Sequence, residues 1–356
     1  MTAHGRRAML TAAASTLGLA TTRLHAQPAS ETITWRLATV TPNGFPLVYD
    51  AVADFAQSVG AMSAGRLRFE LVEPAANGGA GGLLKLVSEG KFDAAHATAH
   101  YYAEDIPAID YFTAVPFGLS AIENHGWMTQ GGGMKLFEQI LAPRGVVPLI
   151  GGNTSVQMGG WFAKEIKTTE DFRGVRIRLN GLPARVLKAL GASTFEVGFG
   201  QIAAAFESGK IDAADIIGPW VDQPLGIARF APFYYAPWHE PDVCMHLFIN
   251  KKRFDALGDD LKAIVRHAAD AVSLRSMARA QYRNALALKA LEQGGTKVRR
   301  FPAEVIRTLK RVTAELLEAD RKRDADSRAV IDSLRSYLGV IDGYARLTDA
   351  LVIEQR

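Results

Sequence analysis

"SEGKFDAAHATAH" (residues 88–100) and "ESGKIDAADIIGP" (residues 207–219) share one phrase, Gly-Lys-apolar-Asp-Ala-Ala, and the phrase occurs nowhere else in the 356-residue chain. Each copy follows a short stretch with apolar residues at helical spacing, "GLLKLVSEG" and "GQIAAAFESG". Each glycine stands where a helix stops, in a place suited to the left-handed conformation. Each is followed by a small-residue run that reads as a buried strand. Two copies of helix, stop and strand predict two lobes of similar construction.

Outward from the first copy, "TITWRLATV" (32–40) reads as a strand, "LVYDAVADFAQSVGAMSAG" (47–65) as a helix and "RLRFELVEP" as a second strand. "FDAAHATA" is expected to be a third strand, with residues 96, 98 and 100 on one face. Around the second copy, "VRIRLN" (175–180) and "STFEVGF" read as strands, and "GLPARVLKALGA" (181–192) as a helix with Pro183 in its first turn. "IDAADII" reads as a further strand. From residue 251 onward the pattern is helical to the end, apart from a short strand in "TKVRRFP". Strands alternating with helices predict an α/β fold with two lobes, a hinge and long C-terminal helices. The expected partition is 27–154 with about 242–275 in lobe I, and 155–241 with about 276–330 in lobe II. Residues 331–356 form a helical tail.

The N-terminus reads separately. Arg6 and Arg7 precede a short run of small apolar residues, and Leu24-His25-Ala26 resembles a cleavage site. Residues 1–26 are therefore expected to be a signal peptide, not a membrane anchor, because the run falls short of the ~20 residues a span needs. "GRRAMLT" loosely resembles a twin-arginine signal, with Met9 where Phe is usual, which leaves the export route open. The chain holds 41 Lys+Arg and 37 Asp+Glu. Without Arg6, Arg7 and Arg23 the count is 38 against 37, a net +1 with His neutral. No basic stripe with interleaved aromatics remains, so no nucleic-acid partner is expected. Cys244 is the one cysteine; it excludes an internal disulfide and, in "DVCMHLFIN", reads as a buried thiol.

No phosphate-binding, dinucleotide-binding or nucleophile-elbow motif is present. "NGGAGG" (77–82) reads as a tight loop. His96 and His100 lack the further ligands a zinc site needs. What stands out are polar residues in apolar runs near strand ends: Tyr101, Tyr102, Gln157, Arg178, Asp215 and Glu240. Ligands of open α/β sheets bind beyond the carboxyl ends of strands.

Five stretches then resemble one family: "FDAAHATAHYYAEDIPAIDYFTAVPFGLS" (92–120), "GGNTSVQMGGWFAKEIKTTEDFRGVRIRLNG" (151–181), "GKIDAADIIGPWVDQPLG" (209–226), "FYYAPWHEP" (233–241) and "HLFINKKRFDAL" (246–257). They resemble the extracytoplasmic solute-binding proteins of tripartite ATP-independent periplasmic (TRAP) transporters, in the branch that binds 2-oxo acids and other small monocarboxylates with a metal ion. The resemblance implies a periplasmic receptor, not an enzyme, that closes on a small carboxylate and delivers it to a TRAP permease. It places Arg178 as the ligand-carboxylate arginine, a role its planar fork suits. It places Gln157 on metal and ligand, and either Tyr101 or Tyr102 as a donor to the ligand. Asp215 takes the position of the branch's usual glutamate, Ile216 that of a tryptophan whose carbonyl reaches the metal, and Glu240 a further acidic position. Ile216 in place of an indole implies a differently shaped, roomier pocket.

Asp215, Glu240 and a ligand carboxylate would set three negative groups against Arg178. A closed cleft disfavours that unless a hard cation such as Na⁺ or Ca²⁺ sits among the oxygens. No organic cofactor is implied. Two rival readings are a metal-free receptor for a zwitterionic, amino-acid-like ligand and an exported enzyme on a bilobal scaffold. A homodimer through the C-terminal helices is compatible with the long tail.

Overall fold

A computed structural model describes residues 32–356 except Gly78. The expected signal peptide, 1–26, lies outside the described residues. Two sheets organise the chain. The first has the order β2-β1-β3-β10-β4, with β1 Ile33–Thr39, β2 Leu67–Val72, β3 Ala94–Ala97, β4 Val146–Asn153 and β10 Cys244–Asn250. The second has the order β11-β9-β5-β8-β6-β7. Its strands are β5 Trp161–Phe162, β6 Arg176–Arg178, β7 Ser193–Phe195, β8 Ala213–Ala214, β9 Phe233–Tyr235 and β11 Lys297–Arg299.

β1 pairs in parallel with β2 and β3, whereas β10 runs antiparallel between β3 and β4. Every residue of β10 and of the edge strand β4 is buried, as expected of strands covered on both faces. The chain leaves the first sheet at the end of β4 and re-enters it at β10. The two crossings are tied together: the side-chain amides of Asn153 and Asn124 both donate to the buried Asp242 carboxylate.

Three apolar layers result. Trp35, Phe55 and Leu247 cover one face of the first sheet and continue to Trp161 and Tyr234 of the second. Phe112, Trp127, Phe137 and Phe248 fill the opposite face of the first sheet. Phe162, Phe172, Tyr235 and Phe301 fill the outer face of the second. The 35-residue helix Asp259–Gln293, ~50 Å long at 1.5 Å per residue, spans both lobes. Its residues Val265, Ala268 and Val272 join the core between them.

The repeated phrase has one structural meaning. Helix Leu83–Ser88 ends at Gly90 (φ 74°), and helix Ile202–Glu207 ends at Gly209 (φ 68°). The motif aspartate then grips the neighbouring strand on both its backbone and its side chain. Asp93 N–H donates to Arg36 O (3.1 Å) while its Oδ2 accepts from Arg36 N–H (2.8 Å). Asp212 N–H donates to Arg176 O (2.8 Å) while its Oδ1 accepts from Arg176 N–H (2.9 Å). The aspartate thus fixes where each new strand starts against its partner.

Several boundaries differ from the sequence reading. β3 stops at Ala97, and Ala99–Tyr102 turn into a 3₁₀ helix. His100 therefore leaves the strand on which it was expected. β6, β7 and β8 are two or three residues long, because the chain bends toward the cleft directly after them. The C-terminal helical region breaks at Asp324, whose extended backbone (φ −147°) caps the next helix by accepting from Ser327 N–H. Helix Ala303–Arg323 precedes the break and helix Ala325–Ala345 follows it. Cys244 is buried, as expected, and burial pushes its thiol upward.

Candidate functional site

Parallel strands deliver their carboxyl ends to one edge, and here both sheets deliver them to the same cleft. β6 ends at Arg178 beside β8, where Arg178 pairs with Ala214. Asp215 follows immediately, its N–H bonded to Arg178 O at 2.9 Å. From the first sheet, β3 leads into Thr98, His100 and Tyr101, and β4 leads through Thr154 to Gln157. β10, being antiparallel, contributes Met245 near its start. These side chains, with Val40, Val48, Asn180, Phe199, Ile216, Ile217, Glu240 and Val243, enclose a cavity of about 60 Å³. That is room for a handful of water-sized occupants at ~10–15 Å³ each. A larger cavity, about 330 Å³, lies between residues 114–119 and the two C-terminal helices; its walls are mostly apolar and hold none of Arg178, Gln157, Asp215 and Glu240.

Arg178 is 6% exposed. Its Nε donates to Val197 O (3.3 Å) and its Nη1 to Asp215 O (2.6 Å). Its Cζ lies 5.0 Å from the Phe199 ring centroid. These contacts fix the guanidinium plane, and no hydrogen bond from Nη2 to the described residues occurs. The nearest carboxylate oxygen, Asp215 Oδ2, is 3.9 Å from Nη1. The cation thus has a neighbour but no close bidentate partner.

The other polar groups show what the cavity lacks. Gln157 Nε2 donates to Thr154 Oγ1 (3.0 Å), but its Oε1 is buried without a partner. Asn180 Oδ1 and Asp215 Oδ1 are likewise buried and unpaired. Buried acceptors are normally satisfied, so three orphaned oxygens around one cavity call for a donor or a cation. One ligand atom from each of Asp215, His239 and Glu240 lies within 4.8 Å of the other two. His239 Nε2 stands 3.1 Å from Asp215 Oδ1 without hydrogen-bond alignment. The donor set, mainly carboxylate and amide oxygen, suits a hard cation such as Na⁺ or Ca²⁺.

Burial and then the Asp215 charge push the Glu240 carboxyl up to about 8, with His239 and Arg178 acting the other way. Burial opposes charge on His239, but Asp215 outweighs it and leaves the imidazole above its ordinary value. His100 is pulled down to about 4 by burial and then by Arg178. His96, whose Nε2 lies 3.0 Å from Gly151 O, is also lowered to about 4 by burial.

Arg178, Gln157, Asp215, Ile216, Glu240 and Tyr101 all line the one cavity. Tyr102 does not: its ring packs edge-on against Phe248 in the core at 5.4 Å, 3% exposed. A 3₁₀ turn sends adjacent side chains in different directions, so only Tyr101 faces the cleft. Asn180, Phe199 and His239 join the site with no signal in the sequence reading. Asn180 lies two residues after Arg178 and His239 one before Glu240, so adjacency to those candidates was the available clue.

The model of the bacterial extracellular solute-binding protein family 7 matches residues 37–323. A monocarboxylate 2-oxoacid-binding periplasmic protein of Nostoc sp. is 31% identical over 320 residues, 89% of this chain and 87% of the relative. A TRAP periplasmic solute-binding protein from Colwellia psychrerythraea, solved with calcium and pyruvate, is 31% identical with a TM-score of 0.89, covering 92% of this chain and 100% of its own. One from Pseudoalteromonas atlantica, solved with sodium and pyruvate, is 32% identical with the same score and the same coverage. A third, from Bordetella bronchiseptica, is a mixed-occupancy dimer with calcium and picolinate; it is 29% identical with a TM-score of 0.88, covering 91% of this chain and 97% of its own.

Proposed function

The chain belongs to the bacterial extracellular solute-binding protein family 7, and from that premise we propose that it captures a small 2-oxo or 2-hydroxy monocarboxylate in the cleft for a TRAP permease. Solute capture for transport, not catalysis, is the family role. The observation that carries the ligand reading is the pairing of a buried Arg178, with Nη2 uncommitted, and three orphaned acceptor oxygens around one small cavity. Arg178 binds the carboxylate. Tyr101 and Gln157 orient the ligand. Gln157, Asp215, the Ile216 carbonyl and Glu240 would hold the cation, which supplies positive charge where carboxylates converge. Cys244 plays no part.

In this reading residues 27–154 with about 242–275 form lobe I, and 155–241 with about 276–330 form lobe II. Hinge closure about the crossings at Asn153 and Asp242 completes the site from both sides. Residues 1–26 direct export to the periplasm. No described helix is long and apolar enough to cross a membrane.

The test is thermal unfolding with pyruvate, lactate and alanine, each with calcium, sodium or a chelator. Stabilisation by pyruvate that the chelator removes supports the cation-assisted reading, since only the folded state binds. Stabilisation by alanine alone, indifferent to chelator, replaces it with the zwitterion receptor. Turnover of an acid without stabilisation moves the protein to an enzyme class.

A homodimer through the C-terminal helices belongs to the same proposal. Val340, Tyr344, Leu347, Leu351 and Ile353 are exposed on the last helical segment, a density of apolar surface that marks interaction sites. Removing residues 340–356 should convert a dimeric elution volume to a monomeric one; an unchanged volume would exclude that surface.

A further inference from the structure

An aliphatic Ile216 implies a roomy pocket, yet the cavity measures only about 60 Å³. Phe199 stands in its wall. Its ring lines the cavity and lies over the Arg178 guanidinium, 5.0 Å from Cζ to ring centroid. A second ring backs it: Phe45 and Phe199 stand 4.8 Å apart, centroid to centroid, tilted by 47°. Phe45 belongs to the turn between β1 and helix Val48–Met62, on the first sheet's side. Phe199 belongs to the 3₁₀ turn Phe199–Gln201, on the second sheet's side. The aromatic contact therefore bridges the cleft, and both rings are only partly buried against the shared core.

We propose that Phe199 sets the size of acid that the receptor accepts, and that Phe45 is a positioning residue holding Phe199 in the cavity wall when the lobes meet. This rests on the reading of the cavity as a carboxylate site. An acid anchored on Arg178 extends its chain beside the Phe199 ring, since that ring lies over the guanidinium carbon and lines the same cavity. A two- or three-carbon body fits beside the ring. A bulky or aromatic chain needs the volume that the ring fills, and the Phe45 contact prevents Phe199 from swinging aside without parting the lobes. The arrangement couples size selection to closure: an oversized acid keeps Phe199 displaced, and the displaced ring loses Phe45.

Calorimetric titration of the purified receptor in calcium with pyruvate and phenylpyruvate tests this. The wild type should bind pyruvate and discriminate strongly against phenylpyruvate. Phe199→Ala should shrink that ratio by about tenfold or more, a typical range for pocket-size discrimination. Phe45→Ala, whose side chain does not line the cavity, should shrink it part of the way and speed pyruvate release in stopped-flow fluorescence. Phe199→Leu, which keeps bulk, should restore most of the discrimination. An unchanged ratio in Phe199→Ala, or in Phe45→Ala should Phe199→Ala not fold, with pyruvate still bound, overturns the role of the rings and leaves the carboxylate reading standing. A wild type that binds neither acid removes that reading and this one with it.

Discussion

His239 Nε2 lies 3.1 Å from Asp215 Oδ1, and both side chains are almost wholly buried, Asp215 in the cavity wall and His239 behind it. An imidazole placed there acts through its charge on the carboxylate that the proposed cation needs, as an outer partner of a metal-binding group. His239→Ala should weaken calcium-assisted pyruvate binding by roughly 10- to 100-fold, the usual range for such outer partners. His239→Gln should recover part of the loss by donating a hydrogen bond. Calcium titration followed by intrinsic fluorescence reads the cation step apart from the acid; equal calcium affinity in all three proteins would confine His239 to packing.

Arg178→Lys should weaken pyruvate by roughly 10- to 100-fold, because a point charge replaces a fork and charge-assisted hydrogen bonds contribute about 1.5–3 kcal/mol each. The guanidinium also bonds Val197 O and Asp215 O, so the apo protein should melt lower as well. The decisive reading is the pyruvate-induced rise in melting temperature, which should shrink at equal pyruvate concentration.

His246 sits on β10, fully buried, its ring 5.0 Å from that of Phe137 and neither nitrogen partnered. Burial, and then His96 and His100, pull it down to about 3. The sign follows from linkage: from pH 6.5 down to about 3 the unfolded chain takes up a proton that the folded chain refuses. The wild type therefore loses stability on acidification through that window, at most about 1.4 kcal/mol per pH unit from this group. His246→Leu removes the proton site. Its melting temperature relative to wild type should rise steadily as the pH falls from 6.5 to 4, and a pH-independent difference would contradict the assignment.

Asp320 joins three elements at 2% exposure. It accepts from Tyr111 Oη (2.7 Å), from both Arg185 amino groups (2.5 and 2.9 Å) and from Arg323 Nη1 (2.6 Å). Asp320→Ala should cost about 2–3 kcal/mol in urea unfolding, below the 3–5 of a fully buried pair because Arg185 and Arg323 keep part of their solvent. Loss of ligand affinity should be small, since Asp320 lies outside the cavity wall.

The alternation of strands and helices, the two glycine stops and the long C-terminal helices were legible in sequence because each depends on local pattern. So were Arg178, Gln157, Asp215 and Glu240, polar residues near strand ends that match the family resemblance. β4, β5 and β9 carried weaker signals. β4 ends in glycine and asparagine, and β5 and β9 are two and three residues long, held by cross-sheet pairing. His239 and Asn180 are ordinary loop residues until the fold sets them beside Asp215 and Arg178. Phe199 was least visible: its meaning comes from Phe45, 154 positions earlier, and no local rule connects them.

Asp93 and Asp212 give the two halves of the binding rim a common origin. From one, four or five residues lead to Ala97 and Thr98; from the other, three lead to Asp215. Successive side chains of a strand point to opposite faces, so slipping either aspartate by one place would aim the side chains that follow it at the opposite face. The recognition surface is thereby indexed twice, from independent marks, and substitutions that reshape the ligand chamber can accumulate downstream without disturbing the alignment that positions it.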